Sequence, residues 1–158
     1  MSSKDLYRVY FAHPISGGNF ESILEYYSKI KERFEGKCQI VRPMIEKDFV
    51  RPNLKERAES MNIGATNYSI AQRDYLLVRS CDVIMADLSD ATRPSIGTMC
   101  EIAWAFPDKH IIVAMDKEGH HKHGLLRGCF TVEFPYQEGY NNQEEAFRYL
   151  ESFLKTRV

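Results

Sequence analysis

The stretch Cys81–Ala105, CDVIMADLSDATRPSIGTMCEIAWA, admits few folds. Its apolar run Val83–Ala86 is too short for a helix and is bounded by Asp82 and Asp87, the pattern of a fully buried strand. Polar turn residues follow. From Ser95 the spacing becomes helical, with Ile96, Met99, Ala103 and Phe106 near one face and Ser95 placed to cap the first turn. In an open parallel sheet, ligands collect outside the carboxyl ends of the strands, which puts Asp87–Gly97 where a small molecule would sit. Glu101 stands in the second turn of the helix between Cys100 and Ile102, among residues expected to be buried. A carboxylate in that setting needs a partner or a task.

The same alternation runs along the whole chain. Leu6–Ala12 reads as a first, central strand, ended by His13-Pro14 and followed by Ser16-Gly17-Gly18. Phe20–Phe34 carries apolar residues at helical spacing, with Gly36 as its stop. The glycine turn between them is either a cradle for an anion or only a tight turn, since it is neither GxGxxG nor a Walker loop. Cys38–Arg42 is a short second strand closed by Pro43, and Met44–Met61 is a polar excursion, either a substrate wall or a solvated connection. Asn62–Ser80 returns to helical spacing and carries Asp74. Beyond the central stretch come strand His110–Met115, the cationic loop Asp116–Gly128, strand Phe130–Phe134 and a closing amphipathic helix Glu144–Leu154. Five strands alternating with helices predict a three-layer α/β fold: a five-stranded parallel sheet, flavodoxin- or Rossmann-like, with helices on both faces.

A chain of 158 residues is expected to form one domain, residues 1–158, with enough length to bury roughly 70% of its unfolded surface. The net charge of −1 gives nucleic acid and anionic membranes nothing to attract, so any phosphate recognition must be local. Cys38, Cys81, Cys100 and Cys129 form no CxxC pair and read as reduced thiols, three of them in or beside predicted strands or a core helix. No signal-peptide pattern and no apolar run near the ~18 residues of a membrane span is found, so a cytoplasmic protein is expected. His120, His121 and His123 lack acidic or cysteine partners at a convincing metal-ligand spacing, so no metal is expected.

If this topology holds, Tyr10 at the end of the first strand, Asp74 on the helix before the third, Asp87 at the end of the third and Glu101 on the following helix meet at one crevice. Asp82 and Asp87 could equally be caps or loop hydrogen-bond acceptors, and Glu101 could be half of a buried ion pair. A carboxylate on a rigid helix beside a phenol suits nucleophilic attack on a sugar carbon, and a second carboxyl that exchanges a proton with the leaving group completes the requirements of glycosidic chemistry. That route needs no cofactor.

Four blocks carry a specific resemblance: YFAHPISGG at Tyr10–Gly18, QRDYL at Gln72–Leu76, CDVIMADLS at Cys81–Ser89 and PSIGTMCEIAWA at Pro94–Ala105. In these the chain resembles the nucleoside 2-deoxyribosyltransferase family, which includes the nucleoside 5′-monophosphate N-glycosidases. The resemblance implies that Glu101 attacks the anomeric carbon, that Tyr10 holds that carboxylate, and that Asp74 protonates or orients the leaving base. Six residues before the nucleophile, transferases acting on free nucleosides typically carry a carboxylate, whereas the similar glycosidases carry a phosphate-binding serine; this chain has Ser95. A carboxylate would repel a phosphate dianion, and a serine at a helix N-terminus attracts it. Gly97, Ser16, Gly17 and Gly18 would complete the phosphate cradle, with Asp87 nearby.

The chain departs from the glycosidase pattern at Pro14 and Ser16, where a serine and an arginine are usual. The cationic loop would replace that charge, with His123 or Lys122 reaching the site from a neighbouring subunit of a homo-oligomer, a dimer or larger with a shared active site; a solvated loop is the alternative. The first expectation is therefore hydrolysis of a (2′-deoxy)nucleoside 5′-monophosphate to free base and sugar 5-phosphate through a glycosyl-Glu101 intermediate. The second is base exchange on 2′-deoxynucleosides by a deoxyribosyltransferase. The third is a nucleotide-binding module without turnover.

Overall fold

The computed structural model describes residues 6–14, 20–43 and 67–157. Ser16, Gly17, Gly18 and the Met44–Met61 excursion, for which the sequence raises expectations, lie outside these residues. Five strands, β1 (Arg8–Ala12), β2 (Gln39–Val41), β3 (Val83–Asp87), β4 (His110–Ala114) and β5 (Val132–Phe134), form one sheet in the order β2-β1-β3-β4-β5. Every pairing is parallel. The helices are α1 (Phe20–Phe34), α2 (Asn67–Arg79), α3 (Ile96–Ala105), the short α4 (Gly124–Arg127) and α5 (Asn142–Leu154). This is the flavodoxin-like order, in which the strand sequence reverses direction between β1 and β3 and leaves a crevice at their carboxyl ends.

Strand alternation sorts the core into two layers. Val9, Phe11, Val83, Met85, Ile112 and Ala114 face Tyr27, Ile30 and Phe34 of α1 and Phe147, Leu150 and Leu154 of α5. Tyr10, Ala12, Ile84, Ala86, Ile111 and Val113 face Val78 of α2 and Ile102 and Ala105 of α3. All five residues of β3 are buried, as expected of a central parallel strand covered on both sides.

Local chemistry fixes the element ends. Gly36 adopts φ +77° just past α1, a left-handed conformation that glycine enters without steric cost. The Asn141 side chain accepts from the Glu144 amide and caps α5, whose first turn carries Glu144 and Glu145 at the positive end of the helix dipole. Asn142 Nδ2 donates to the carbonyls of Met115 at 2.8 Å and Phe134 at 2.9 Å, tying α5 to the ends of β4 and β5. Arg33 of α1 grips Glu144 of α5 at 2.7 and 3.0 Å and Glu151 at 3.0 Å. Asp82 Oδ2 accepts from the Arg8 amide at 2.8 Å, the loop role left open for it by the sequence.

The structure corrects the sequence reading of α3. Thr98, Glu101, Ile102 and Ala105 form its buried face. Ile96 and Phe106, expected on that face, are 65% and 48% exposed. The helix is apolar nearly all round, so its spacing alone could not choose a side. Cys100 is exposed for the same reason, while Cys38 and Cys81 are buried. The cationic loop after β4 also holds the short helix α4.

Candidate active site

Tyr10 enters β1 on the face that looks toward α2 and α3, because its register partner on β3 is Ile84 and both point into the same layer. Glu101 comes from the second turn of α3 and is 3% exposed. The Tyr10 hydroxyl donates to Glu101 Oε1 at 2.7 Å, within the buried interior. Burial, and then the charges of Glu101 and Asp74, push the Tyr10 phenol far above its ordinary value, so it remains a donor at any physiological pH. Asp74 projects from α2 and is 4% exposed. Two buried carboxyls and a buried phenol thus lie close together at the β1–β3 crevice.

Tyr27 of α1 adds to this group. Its hydroxyl donates to the Phe11 carbonyl at 3.1 Å, and its acidity is suppressed by burial and then by the charge of Glu101. The Arg42 guanidinium lies 5.6 Å from the Tyr27 ring centroid and acts in the opposite sense on the phenol. Neither residue is singled out by sequence spacing; Arg42 is simply the residue that follows β2.

Ser95 is 5% exposed and has extended backbone angles, φ −95° and ψ 92°, at the start of α3. It does not make the side-chain cap expected of it. Its hydroxyl instead donates to Thr98 Oγ1 at 2.9 Å, and its amide donates to His121 Nε2 at 2.9 Å. The amides of Ile96, Gly97 and Thr98 precede the first intrahelical bond, from Met99 to the Ser95 carbonyl. Gly97 is exposed in that first turn, and a Cβ added to it would meet nothing within 4 Å. The helix start is therefore open to a ligand at Gly97 while its serine is held from behind.

Two further expected members make their contacts within this chain away from Tyr10. Asp87 is odd-numbered in β3 like Val83 and Met85, so its side chain passes to the α1–α5 side, away from Tyr10. There Oδ1 accepts from the Ser89 amide at 3.1 Å and hydroxyl at 2.6 Å, and Oδ2 accepts from Gln143 Nε2 at 2.5 Å. It shapes the loop toward α3, the alternative the sequence left open. His123 is exposed and caps α4, its Nδ1 accepting from the Leu125 amide at 3.2 Å. In its own chain the histidine that reaches Ser95 is His121, which is completely buried.

A cavity of about 530 Å³, lined among others by His13, Tyr26, Asp90, Arg93 and Gln143, opens on the α1–α5 side. It contains none of Tyr10, Asp74 or Glu101; a second cavity, of about 550 Å³, is lined among others by Tyr27 and Arg42. Among the described residues no three His, Cys, Asp or Glu side chains are placed to hold a metal ion, and no helix is long and apolar enough to cross a membrane.

A doubly wound sheet leaves a crevice at the carboxyl ends of its strands where small molecules bind, and Glu101 and Asp74 lie at that crevice. The nucleoside 2-deoxyribosyltransferase family model matches residues 9–146, and the chain belongs to that family. The family is named for transfer of a glycosyl group of nucleosides, and this chain is an enzyme of that family. Among solved structures, the CMP N-glycosidase BcmB of Clostridium botulinum is similar in fold, with a TM-score of 0.54 and 20% identity over 92% of this chain and 98% of that one. A conserved protein from Enterococcus faecalis V583 is similar at a TM-score of 0.51 and 16% identity, over 97% and 99% of the two chains. No curated protein sequence matches the chain.

Proposed function

We propose that the protein hydrolyses the N-glycosidic bond of a nucleoside 5′-monophosphate, with a 2′-deoxyribonucleotide as the first candidate. The observation that carries the reading is the buried Tyr10–Glu101 hydrogen bond of 2.7 Å, with Asp74 beside it and a serine rather than a carboxylate opening the helix. Glu101 attacks C1′ of the sugar, the C1′–N bond breaks, and the bonding pair leaves on the base, which takes a proton from the Asp74 carboxyl. Water then attacks C1′ and gives its proton to Asp74. The glycosyl–Glu101 bond breaks, and sugar 5-phosphate leaves. Tyr10 steers Glu101 by holding one of its oxygens.

Ser95 supports the choice of a monophosphate. A serine hydroxyl and the first amides of α3 suit a dianion, whereas the free nucleoside's 5′-hydroxyl would be better served by an acceptor. Hydrolysis of a cytidine monophosphate is the activity named for BcmB. The family's own name favours the second reading, transfer of deoxyribose between bases.

Tyr68, Tyr75 and Leu76 on α2 and Ile96 on α3, with Phe106 just beyond it, are large apolar residues at least 42% exposed. They lie on or beside the helices that carry Asp74 and Glu101, and these exposed apolar residues are the ones we assign to contact with a second copy of the chain. The exposed Lys122 and His123 are the residues that would reach toward the neighbour's site.

The decisive experiment is chromatography of the purified protein with deoxy- and ribonucleoside 5′-monophosphates and the matching nucleosides, each with and without a second free base. Base release from monophosphates alone, lost in Glu101→Ala, supports the hydrolase. Base exchange on unphosphorylated deoxynucleosides selects the transferase, and no reaction with any substrate selects a binding module.

A further inference from the structure

His121 and Asp116 are both completely buried, 0% exposed, in the loop whose sequence is a dense cationic patch. Asp116 follows the end of β4 by two residues. Its Oδ2 accepts from the His120 amide at 2.8 Å, and its Oδ1 lies 2.7 Å from His121 Nδ1. Burial works to raise the Asp116 carboxyl, but the hydrogen bonds from His121 and the His120 amide outweigh it and hold it below the ordinary value, as a carboxylate. On the far side of the ring, Nε2 lies 2.9 Å from the Ser95 amide nitrogen.

An amide N–H can only donate, so Nε2 must offer its lone pair, and the ring proton sits on Nδ1, facing the carboxylate. The order of the chain is thus fixed: carboxylate, imidazole, amide, serine. Ser95 needs such an acceptor because its backbone is extended rather than helical and, at 5% exposure, water does not supply one. The same contact withdraws the Ser95 amide from any role as a ligand donor. It leaves the hydroxyl, parked on Thr98 Oγ1, and the next three amides to face an anion.

We infer that His121, oriented by Asp116, is a positioning residue that sets Ser95 for recognition of the substrate's 5′-phosphate. This rests on the monophosphate reading, since Ser95 is the serine that reading assigns to phosphate. Glu101 lies six residues further along α3 and has its own tether to Tyr10, so loss of the imidazole acts on phosphate binding before it acts on the bond-breaking step.

The test compares the wild type with His121→Phe, His121→Gln and Asp116→Asn. It uses equilibrium binding of inorganic phosphate, steady-state kinetics on a monophosphate, and imidazole ¹⁵N spectra. In His121→Phe, phosphate affinity is expected to fall roughly tenfold or more and KM to rise in step, with kcat within about threefold, the size of one lost buried hydrogen bond. His121→Gln, whose amide oxygen can still accept from Ser95, should recover most of both. Asp116→Asn has one acceptor where the carboxylate uses two, so it should fall between them. The wild-type spectrum should show Nδ1 protonated and Nε2 bare.

A folded His121→Phe protein that binds phosphate as the wild type does, or a wild-type spectrum with Nε2 protonated, overturns the inference. Should His121→Phe fail to fold, Asp116→Asn and the wild-type spectrum decide. A wild type that binds phosphate but releases no base would sink the glycosidase reading and leave this one standing, whereas turnover with unaltered phosphate binding in His121→Phe would do the reverse.

Discussion

The Tyr10 hydroxyl and the Glu101 carboxylate, 91 residues apart in sequence, meet at 2.7 Å in the interior between β1 and α3. Each confers on the other a property it lacks alone: the phenol a fixed acceptor, the carboxylate a fixed direction. Tyr10→Phe keeps the ring and its packing and removes only the donor. It should lower kcat roughly 10- to 100-fold, the equivalent of about 1.4 to 2.7 kcal/mol for one charge-assisted bond. Single-turnover base release checks this, and a kcat equal to wild type would remove Tyr10 from the proposed chemistry.

Ser95→Asp places a carboxylate where the monophosphate reading puts a dianion. Like charges about 4 Å apart near a protein surface repel by up to ~4 kcal/mol, so kcat/KM for monophosphates should fall about 100-fold or more. The ratio of kcat/KM for the nucleoside to that for its monophosphate should rise correspondingly. An unchanged ratio would mean that Ser95 does not touch the 5′ group.

Asn142→Ala deletes two buried hydrogen bonds and leaves the Met115 and Phe134 carbonyls without that donor. The cost should be roughly 2 kcal/mol, or about 4–8 °C in Tm for a chain of this size. Thermal denaturation followed by circular dichroism measures it.

Glu151 is pulled down to about 2, chiefly by its hydrogen bonds from Arg33, against an ordinary carboxylate value above 4. A carboxyl depressed in the folded state adds stability at pH above its unfolded value, and that stability is lost as the pH falls from about 4.3 toward 2. Because the ion pair is partly exposed, about 1 kcal/mol is the expected size. Glu151→Gln should therefore destabilise by about that much at pH 7 and by almost nothing near pH 2. Urea melts at the two pH values test it.

The succession of strands and helices was legible because each strand is a short apolar run between turn residues and each amphipathic helix carries its own period. The facing of side chains was less so. Asp87 closes an apolar run and looks like a site residue until the register Tyr10↔Ile84 puts odd-numbered positions of β3 on the other face. The buried side of α3 could not be read from a helix with Ile96, Met99, Ile102 and Trp104 distributed around it; the side that is buried carries Glu101, whose partner Tyr10 is far away in sequence. Within His120–His123, only the fold shows that His121 turns inward and His123 outward, since both belong to one polar run. Glu101 could be found because a carboxylate among apolar neighbours is rare enough to carry information by itself.

The closing helix has a consequence for how the molecule comes into being. Ala146, Phe147, Leu150 and Leu154 of α5 share one buried cluster with Ile112 and Ala114 of β4, and α5 packs chiefly on β4 and β5. A growing chain can therefore pair its strands but cannot seal that side of the sheet until synthesis has passed Leu154. Until then Ile112 and Ala114 of β4, with Val132 and Phe134 of β5, wait for cover, and a polypeptide ending before α5 would be a substrate for chaperones and proteases rather than a weakened enzyme.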